Sequence, residues 1–194
     1  MVPERPVLIT EFGRFGPSAV FAENLSGQPP VQDTEVACAW DATALRVRFA
    51  CTDIEPWATI TQRDGPLWEE EVVEVFLDPV GDAEVYFEIE VNPLGTLLDL
   101  VLRRSRSGYK KDFAWDCEGL KSSVERTATG WNAELKIPFG SLIPEAPRVG
   151  SEWRVNFARI DRPRGREREL SAWSPTQLGT FHVPERFGVL RFVG

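Results

Sequence analysis

The chain has 194 residues, of which 42% are hydrophobic and 27% charged, so we expect a folded globular protein with a sizeable core. Its formal net charge of -8 at pH 7 argues against nucleic acid or an anionic membrane as a partner, because phosphate binding needs clustered Lys and Arg. No apolar run approaches the ~20 residues that are needed to span a bilayer.

The first residues and the cysteines bear on the cellular compartment. Residues 1–6 lack the basic and then apolar pattern of a signal peptide. Cys38, Cys51 and Cys117 are odd in number and have no metal-ligand spacing, which predicts reduced, buried thiols. We therefore expect a cytoplasmic protein, or a secreted one if a signal segment has been removed.

Alternating apolar and polar residues, interrupted by turns rich in Gly, Pro and Asp, predict a series of short strands. Residues 1–34 are expected to form an arm laid across the domain, with an extended piece at 6–10. Strands follow at 36–40, 45–51, 72–78, 85–91, 96–102, 122–126, 131–137, 153–161 and 187–193. Residues 103–118 and 162–186 are expected to be mostly loop.

This pattern predicts the fold class. About nine or more short strands with frequent turns, and no helix longer than two turns, are typical of an all-β protein with an antiparallel β-sandwich. The whole chain, residues 1–194, is expected to form one domain, because no linker or internal repeat divides it.

The strand at 72–78 contains an unusual carboxylate. Glu74 lies between Val73 and Val75 in a strongly β-forming segment, and Trp68 precedes it by six residues. Burying an ionised carboxylate costs several kcal/mol unless it is paired or hydrogen-bonded, so Glu74 must have a partner or face water. The acidic run at 69–71 is expected to be solvated.

A second polar row follows on the strand at 85–91. Glu88, Glu90 and Asn92 share one face of that strand. If it lies beside the strand at 72–78, Glu74 joins this row and Trp68 stands at its edge. Sugars stack on aromatic rings, and their hydroxyl groups donate hydrogen bonds to carboxylate and amide oxygens and accept them from amide N–H groups. The arrangement therefore predicts a saccharide-binding concavity.

Several catalytic centres are disfavoured. The chain has no phosphate-binding Gly-rich loop, no HExxH motif and no nucleophile elbow. His182 is the only histidine, and its sequence context offers no nucleophile, so we expect it to be structural.

Taken together, six segments resemble the family 9 carbohydrate-binding modules. They are LWEEEVVEVFLDP, YFEIEVNPLG, GWNAELKIPFGSL, GSEWRVNFARID, SAWSP and FHVPERFGVLRF, spread over residues 35–193. The resemblance implies a β-sandwich that binds a small saccharide or a glycan end, without catalysis.

The resemblance also implies site residues. Trp68 matches the first aromatic residue of a clamp around the sugar, and Trp173 in SAWSP matches the second. Glu74 matches a sugar-binding carboxylate and Asn92 a sugar-binding amide. Two positions, Glu90 and Arg159, depart from the family pattern, which has Arg and Gln there, and both are expected beside the ligand.

No organic cofactor is expected, and no metal-binding motif is present. Because members of the resembling family often hold structural calcium, Asp53, Glu55 and Asp78 are the candidate ligands, although their spacing is not that of a calcium loop.

Two other functions remain open at this point. A glycoside-active enzyme would use Glu74 and Glu90 as acid and base across a cleft. A structural or protein-interaction domain would keep the fold without the site, with Trp68 and Trp173 packed internally.

Overall fold

The structure, a computed structural model, describes residues 5–194 and consists of strands, loops and three short 3-10 turns. The strands are β1 (Val7–Phe12), β2 (Ala19–Val20), β3 (Ala22–Glu23), β4 (Thr34–Trp40), β5 (Ala44–Thr52), β6 (Val72–Asp78), β7 (Val85–Val91), β8 (Leu97–Ser105), β9 (Gly108–Asp112), β10 (Lys121–Thr127), β11 (Gly130–Pro138), β12 (Glu152–Asp161), β13 (Glu169–Ala172) and β14 (Gly188–Val193). The turns are Leu67–Glu69, Phe139–Ser141 and Pro184–Arg186. None of the helical segments in this described range is long and apolar enough to cross a membrane.

Hydrogen bonds link eleven of the strands into one path, in the order β10-β11-β5-β4-β1-β14-β12-β6-β7-β8-β9. Neighbours along the path are antiparallel except at β1, which runs parallel to both β4 and β14. β13 pairs with the second half of β12, while β14 pairs with the first half. The all-β prediction is confirmed, and the antiparallel arrangement holds for every pair along the path outside β1.

The path curls so that its two halves face each other across an apolar layer, which we call the inner core. Phe49 on β5 and Phe157 on β12 meet there edge to face, with ring centroids 6.2 Å apart. Burying this layer from water is the main stabilising contribution to the fold. The inner core includes Val36, Val47, Phe49, Leu135, Val73, Val75, Ile89, Val155, Phe157 and Leu190. A β-sandwich was predicted, and two sheet halves packed face to face confirm it.

A second apolar layer, the outer core, covers the opposite face of the half that contains β12, β6, β7 and β8. Successive side chains of a strand point to opposite faces, so each of these strands contributes alternate residues to the two layers. The outer core includes Leu67, Val72, Phe76, Tyr86, Leu100, Ala158, Ile160, Phe181 and Phe187. Loops rather than a third sheet close over it, and this leaves room for a pocket.

Three segments differ from the sequence-based prediction. Residues 7–12 are not an arm laid across the sandwich but a central strand, β1; the first four residues of the predicted arm lie outside the described residues. The segment 103–118 contains the end of β8 and all of β9, and the segment 162–186 contains β13. β9 and β13 are short and charged, so they lack the alternation by which the longer strands were recognised. The three cysteines are buried and unpaired, as predicted.

Candidate functional site

A cavity of about 120 Å³ opens on the outer face of β6 and β7. Carboxylates from these two strands form its floor, and loop residues and β9 form its walls. The lining residues are Trp68, Glu74, Glu88, Glu90, Lys111, Ile160, Arg168, Leu170, Gly179, Thr180, Phe181 and His182. We call this cavity the acidic pocket.

Two carboxylates at the pocket floor are direct cross-strand neighbours. Glu74 on β6 pairs in register with Glu90 on β7, so both side chains leave the sheet on the same face. Glu74 is 3% exposed and Glu90 is 1% exposed. Both carboxylate oxygens of Glu90 are without a hydrogen-bond partner among the described residues. An unpaired buried carboxylate is costly, so Glu90 is stable at this position as the protonated acid or with a cationic partner.

The environment of these two carboxyl groups favours their protonated form. Burial raises the pKa of Glu74 well above its usual value, and the nearby Glu88 raises it further. Burial also raises the pKa of Glu90 well above its usual value, with added repulsion from Glu74 and Glu88. Lys111 acts in the opposite direction on both groups. Because the two carboxyl groups repel each other when charged, their apparent pKa values belong to the pair and not to either residue alone.

Glu88 connects the floor of the pocket to its wall. One carboxylate oxygen lies 3.7 Å from the Lys111 ammonium, and the other lies 4.0 Å from Nε2 of His182. The other ring nitrogen of His182, Nδ1, is hydrogen-bonded to the Tyr86 hydroxyl at 3.1 Å. Burial lowers the pKa of His182, which favours a neutral ring at pH 7.

Trp68 lies at the rim of the acidic pocket and is half-buried. The preceding residue, Leu67, is fully buried in the outer core and anchors the 3-10 turn that presents the indole. Arg162 donates a hydrogen bond of 3.1 Å to the Trp68 carbonyl oxygen. The Trp68 ring has the exposed Phe113 ring 6.1 Å away and the Lys111 ammonium 5.8 Å from its centroid. The indole is therefore held in place from behind, with an aromatic neighbour beside it.

Trp173 does not face Trp68, which corrects the predicted clamp. It is 7% exposed and belongs to the inner core, where its ring lies 5.7 Å from Phe157. The inner core and the acidic pocket lie on opposite faces of β12, because Phe157 and Ala158 point in opposite directions along the strand. The structure thus separates the two tryptophans by the thickness of a sheet.

Arg159 is also absent from the acidic pocket, although it was expected beside the ligand. Its register partner is Val73 of β6, an inner-core residue, whereas Ala158 pairs with Glu74. The fully buried guanidinium donates hydrogen bonds to Asp53 Oδ2 at 2.8 Å and Asp161 Oδ1 at 2.9 Å. Arg159 therefore compensates a buried acidic cluster instead of contacting the pocket.

The Asn92 side chain forms hydrogen bonds with backbone groups next to the pocket. Its amide oxygen accepts hydrogen bonds from the backbone N–H groups of Leu94 and Thr96, both at 3.0 Å. Its amide nitrogen donates to the Ile60 carbonyl oxygen at 2.8 Å. Because all these partners are backbone groups and the side chain is fully buried, Asn92 holds the β7–β8 turn and does not line the pocket.

The acidic run at 69–71 was predicted to be solvated, and two of its members are buried. Glu70 accepts hydrogen bonds from the N–H groups of Thr59 and Ile60, at 2.6 Å and 3.1 Å. Burial, together with Asp53 and Asp161, raises the pKa of Glu71 to about 9. Glu70 therefore holds the loop at 59–60 in place. Glu71 belongs to the acidic cluster with Asp53 and Asp161, to which Arg159 is bonded.

The residues proposed from sequence as calcium ligands are not brought together. Asp78 lies at the opposite end of β6 from this cluster and accepts hydrogen bonds from the N–H groups of Gly81 and Ala83. Glu55 is exposed and lies 3.5 Å from Arg164. Only Asp53 belongs to a group with metal-ligand spacing.

Carboxylate oxygens of Asp53, Glu71 and Asp161 lie within 4.8 Å of one another and could in principle hold a cation. The Arg159 guanidinium already donates to two of the three carboxylates. Calcium prefers six to eight oxygen ligands, and a buried guanidinium bonded to two of the three carboxylates repels it. The residues present therefore do not fit calcium, and we derive no role for it.

The sequence-based prediction missed several pocket residues. Lys111 and Arg168 lie in segments that were expected to be loops, and His182 was expected to be structural. Glu88 was visible in the polar row of its strand but was not selected. No local pattern marks residues 179–182 as pocket residues, because only the tertiary structure brings that loop over β6 and β7.

Comparisons with known proteins place the fold. A protein from Bacteroides uniformis, provisionally described as carbohydrate-binding, matches with a TM-score of 0.79 and 18% identity over 97% of this chain and 100% of its own. A family 9 carbohydrate-binding module from Caldicellulosiruptor kristjanssonii, solved in complex with cellotriose, gives a TM-score of 0.74 at 14% identity over 97% of this chain and 94% of its own. A family 9 module from the same organism, solved in complex with glucose, gives a TM-score of 0.70 at 14% identity over 97% of this chain and 96% of its own.

At these identities the solved structures show a shared fold. Among curated proteins, none matches the chain significantly. The profile described as carbohydrate family 9 binding domain-like, however, matches residues 19–194, which is most of the chain. The chain therefore belongs to the carbohydrate family 9 binding domain-like family.

Proposed function

We propose that this protein binds a small saccharide or the end of a glycan at the acidic pocket, with Trp68 as the stacking surface and Glu74 and Glu90 as hydrogen-bonding groups. The observation that carries the proposal is the placement of a fixed indole at the rim of a cavity in which both oxygens of the buried Glu90 lack a hydrogen-bond partner among the described residues. Sugar rings combine apolar C–H faces with hydroxyl donors, and this cavity offers a counterpart to both.

Family membership supports this proposal. Modules of this family are generally non-catalytic binding domains, and the relatives from Caldicellulosiruptor kristjanssonii are complexes with cellotriose and glucose. The site proposed here differs from a clamp between Trp68 and Trp173. One indole, with Phe113 next to it, supplies a single aromatic wall, and the carboxylate floor lies opposite loop residues such as Thr180.

The position of the carboxylates favours binding over glycoside hydrolysis. A glycosidase needs its two carboxyl groups on opposite sides of the scissile bond, so that the sugar lies between them. Glu74 and Glu90 are adjacent cross-strand residues on one floor, with Cβ atoms about 5 Å apart by sheet geometry. Because both side chains leave the sheet on one face, they approach a bound sugar from the same side instead of flanking a scissile bond. We therefore infer a binding module without catalytic activity.

Titration of wild-type protein with glucose, cellotriose and a glycan array, followed by tryptophan fluorescence and calorimetry, tests the binding proposal. Trp68→Ala is expected to lower the affinity for the saccharide that binds by at least tenfold. Trp115→Ala is the matched control, because Trp115 is also half-buried but packs on Phe87, 4.9 Å away, at the inner core. If no saccharide binds to wild type, or if Trp68→Ala and Trp115→Ala behave alike, the proposed site is wrong.

Chromogenic glycosides test the absence of catalysis separately. Wild-type protein is expected to release no more chromophore than the double variant Glu74→Gln/Glu90→Gln. Turnover by wild type that the double variant loses would identify the two carboxyl groups as a catalytic pair and replace the binding proposal.

A further inference from the structure

The acidic pocket contains more carboxyl groups than basic groups that pair with them. Three carboxylates line it, from Glu74, Glu88 and Glu90, and each is at most 3% exposed. Only Glu88 lies within 4.0 Å of a basic nitrogen among the described residues, namely those of Lys111 and His182. Glu74 and Glu90 form no ion pair within this described part of the chain. A neutral sugar would leave that imbalance in place.

A bound metal ion is not the group that resolves this imbalance. Among the described residues, Asp53, Glu71 and Asp161 have ligand atoms within 4.8 Å of one another, whereas the three glutamates of the pocket do not form such a group. The floor is built by neighbouring strands, which spread the carboxylates along a surface. Such a surface suits a ligand that is larger than an ion and carries several donors.

The protein itself shows which kind of group the rim accepts. The Lys111 ammonium lies 3.7 Å from Glu88 and 5.8 Å from the Trp68 ring centroid, between a carboxylate and an aromatic face. Both neighbours attract an ammonium group, the first by charge and the second by the ring quadrupole. Lys111 reaches this position from β9 on an exposed, flexible stem. Within residues 5–194, no basic nitrogen lies within 4.0 Å of the Glu90 carboxylate, and the ion pairs of the pocket are those of Glu88.

We propose that the saccharide bound here is an amino sugar with a free ammonium group, and that this ammonium pairs with Glu90 and Glu74. The inference rests on the proposed function and names the ligand class of the same pocket. Trp68 stacks on the sugar ring, while the unpaired oxygens of Glu90 accept hydrogen bonds from the ammonium. A charge-assisted bond to a buried carboxylate is stronger than a bond to a neutral hydroxyl, so charge decides the preference.

Binding of such a ligand is linked to protons. The charged and titratable groups that face the ammonium are Glu74, Glu88, Glu90, Lys111, Arg168 and His182. Because burial favours the protonated carboxyl groups at the floor, an arriving ammonium displaces a proton from them. Binding of the ammonium form is therefore expected to release protons to the buffer.

Three tetrasaccharides with the same β-1,4 linkage and ring stereochemistry isolate the charge at carbon 2. They are the tetramer of glucosamine, the tetramer of N-acetylglucosamine and cellotetraose. Calorimetry at pH 7 is expected to give the glucosamine tetramer an affinity at least tenfold higher than either neutral tetramer. The measured enthalpy is expected to change between phosphate and Tris buffers, which differ in ionisation enthalpy.

Variants assign the preference to the pocket. Glu90→Gln keeps the size and hydrogen-bonding capacity of the side chain but removes its charge, and is expected to reduce the glucosamine preference to less than threefold. Glu125→Gln on β10 is the control, because Glu125 is an exposed strand carboxylate away from the acidic pocket. It is expected to keep the full preference.

The outcomes separate this inference from the proposed function. Binding of cellotetraose or the acetylated tetramer as tightly as the glucosamine tetramer overturns the amino-sugar inference and leaves saccharide binding standing. Absence of binding for all three removes both. If Glu90→Gln and Glu125→Gln keep the preference equally, or if spermine binds as tightly as the glucosamine tetramer, the preference reflects the overall charge of -8 and the inference fails.

Discussion

Gly188 lies directly against the indole of Trp173: a Cβ atom at residue 188 would come within 2.4 Å of the ring. The first residue of β14 must therefore be glycine for the inner core to close around this tryptophan. Gly188→Ala is expected to lower the free energy of unfolding by about 1–3 kcal/mol, because overpacking displaces the ring or the strand. Urea unfolding measures the loss. Gly140→Ala is the control, since a Cβ there meets nothing within 4 Å, and equal losses would contradict the explanation.

Trp173 itself is expected to matter for stability and not for saccharide affinity. Trp173→Ala removes a large inner-core side chain that packs on Phe157, so it should cost about 3–5 kcal/mol of unfolding free energy. The milder Trp173→Phe keeps enough of the packing for a binding measurement. Its saccharide affinity should stay within twofold of wild type once folding is verified by circular dichroism. A tenfold loss of saccharide affinity in Trp173→Phe would show that Trp173 contributes to binding.

Arg159 neutralises the cluster formed by Asp53, Glu71 and Asp161. Arg159→Leu leaves these buried carboxyl groups without their cation, and should reduce the unfolding free energy by about 3–5 kcal/mol. Arg46→Leu breaks a partly exposed pair with Glu134 and should cost about 1 kcal/mol or less. Urea unfolding of the two variants gives the comparison. Similar small losses would show that the guanidinium does not stabilise the cluster.

Glu90 is expected to reduce stability at neutral pH. Because its pKa is raised in the folded state, its contribution to stability is fully present below the unfolded value near 4.5 and is lost as pH rises through the folded value. Wild-type protein should therefore lose stability between pH 5 and pH 8. Glu90→Gln should lose less over that range and be more stable than wild type at pH 8. Urea midpoints of both proteins at pH 5 and pH 8 test this. If the midpoint of Glu90→Gln changes with pH as much as that of wild type, the expectation is contradicted.

His182 offers a direct probe of the acidic pocket, because it is the only histidine in the chain. Its ring proton signals can be followed by NMR without mutagenesis. Burial is expected to hold its pKa below 6.5. The negative charge of Glu88 opposes this, so Glu88→Gln should lower the pKa further. A midpoint at or above 6.5 in wild type would mean that the ring is more exposed than the structure indicates.

The sequence was sufficient for most of the fold because alternation marks strands locally. It also indicated Glu74, since a carboxylate between Val73 and Val75 is chemically out of place on a strand with an apolar face. The position of Arg159 outside the acidic pocket could not be predicted in the same way, because it depends on how β12 pairs with β6. Whether a residue of β12 lies on the face of Glu74 depends on strand register, and a shift by one residue moves every side chain to the opposite face. No local pattern determines that register.

The same limit applies to Trp173 and His182. Trp173 follows β13, and its assignment to the inner core depends on how that short strand pairs with β12. His182 reaches the pocket through a loop whose path is set by burial of Phe181 and Phe187 in the outer core. The resemblance to a family supplied residue types in order, but not the face on which each of them lies.

The parallel strand β1 has a consequence for how the protein is made. Val7 pairs with Val189, and on its other side β1 pairs with β4, so an early segment is hydrogen-bonded to both halves of the sandwich. Its partner β14 leaves the ribosome long after β1 does. The ladder between β1 and β14 cannot form until residues 188–193 emerge, and contacts between such distant segments form slowly. During synthesis the hydrogen-bonding edge that awaits β14 stays open, so chaperones that shield strand edges should influence the yield of this protein.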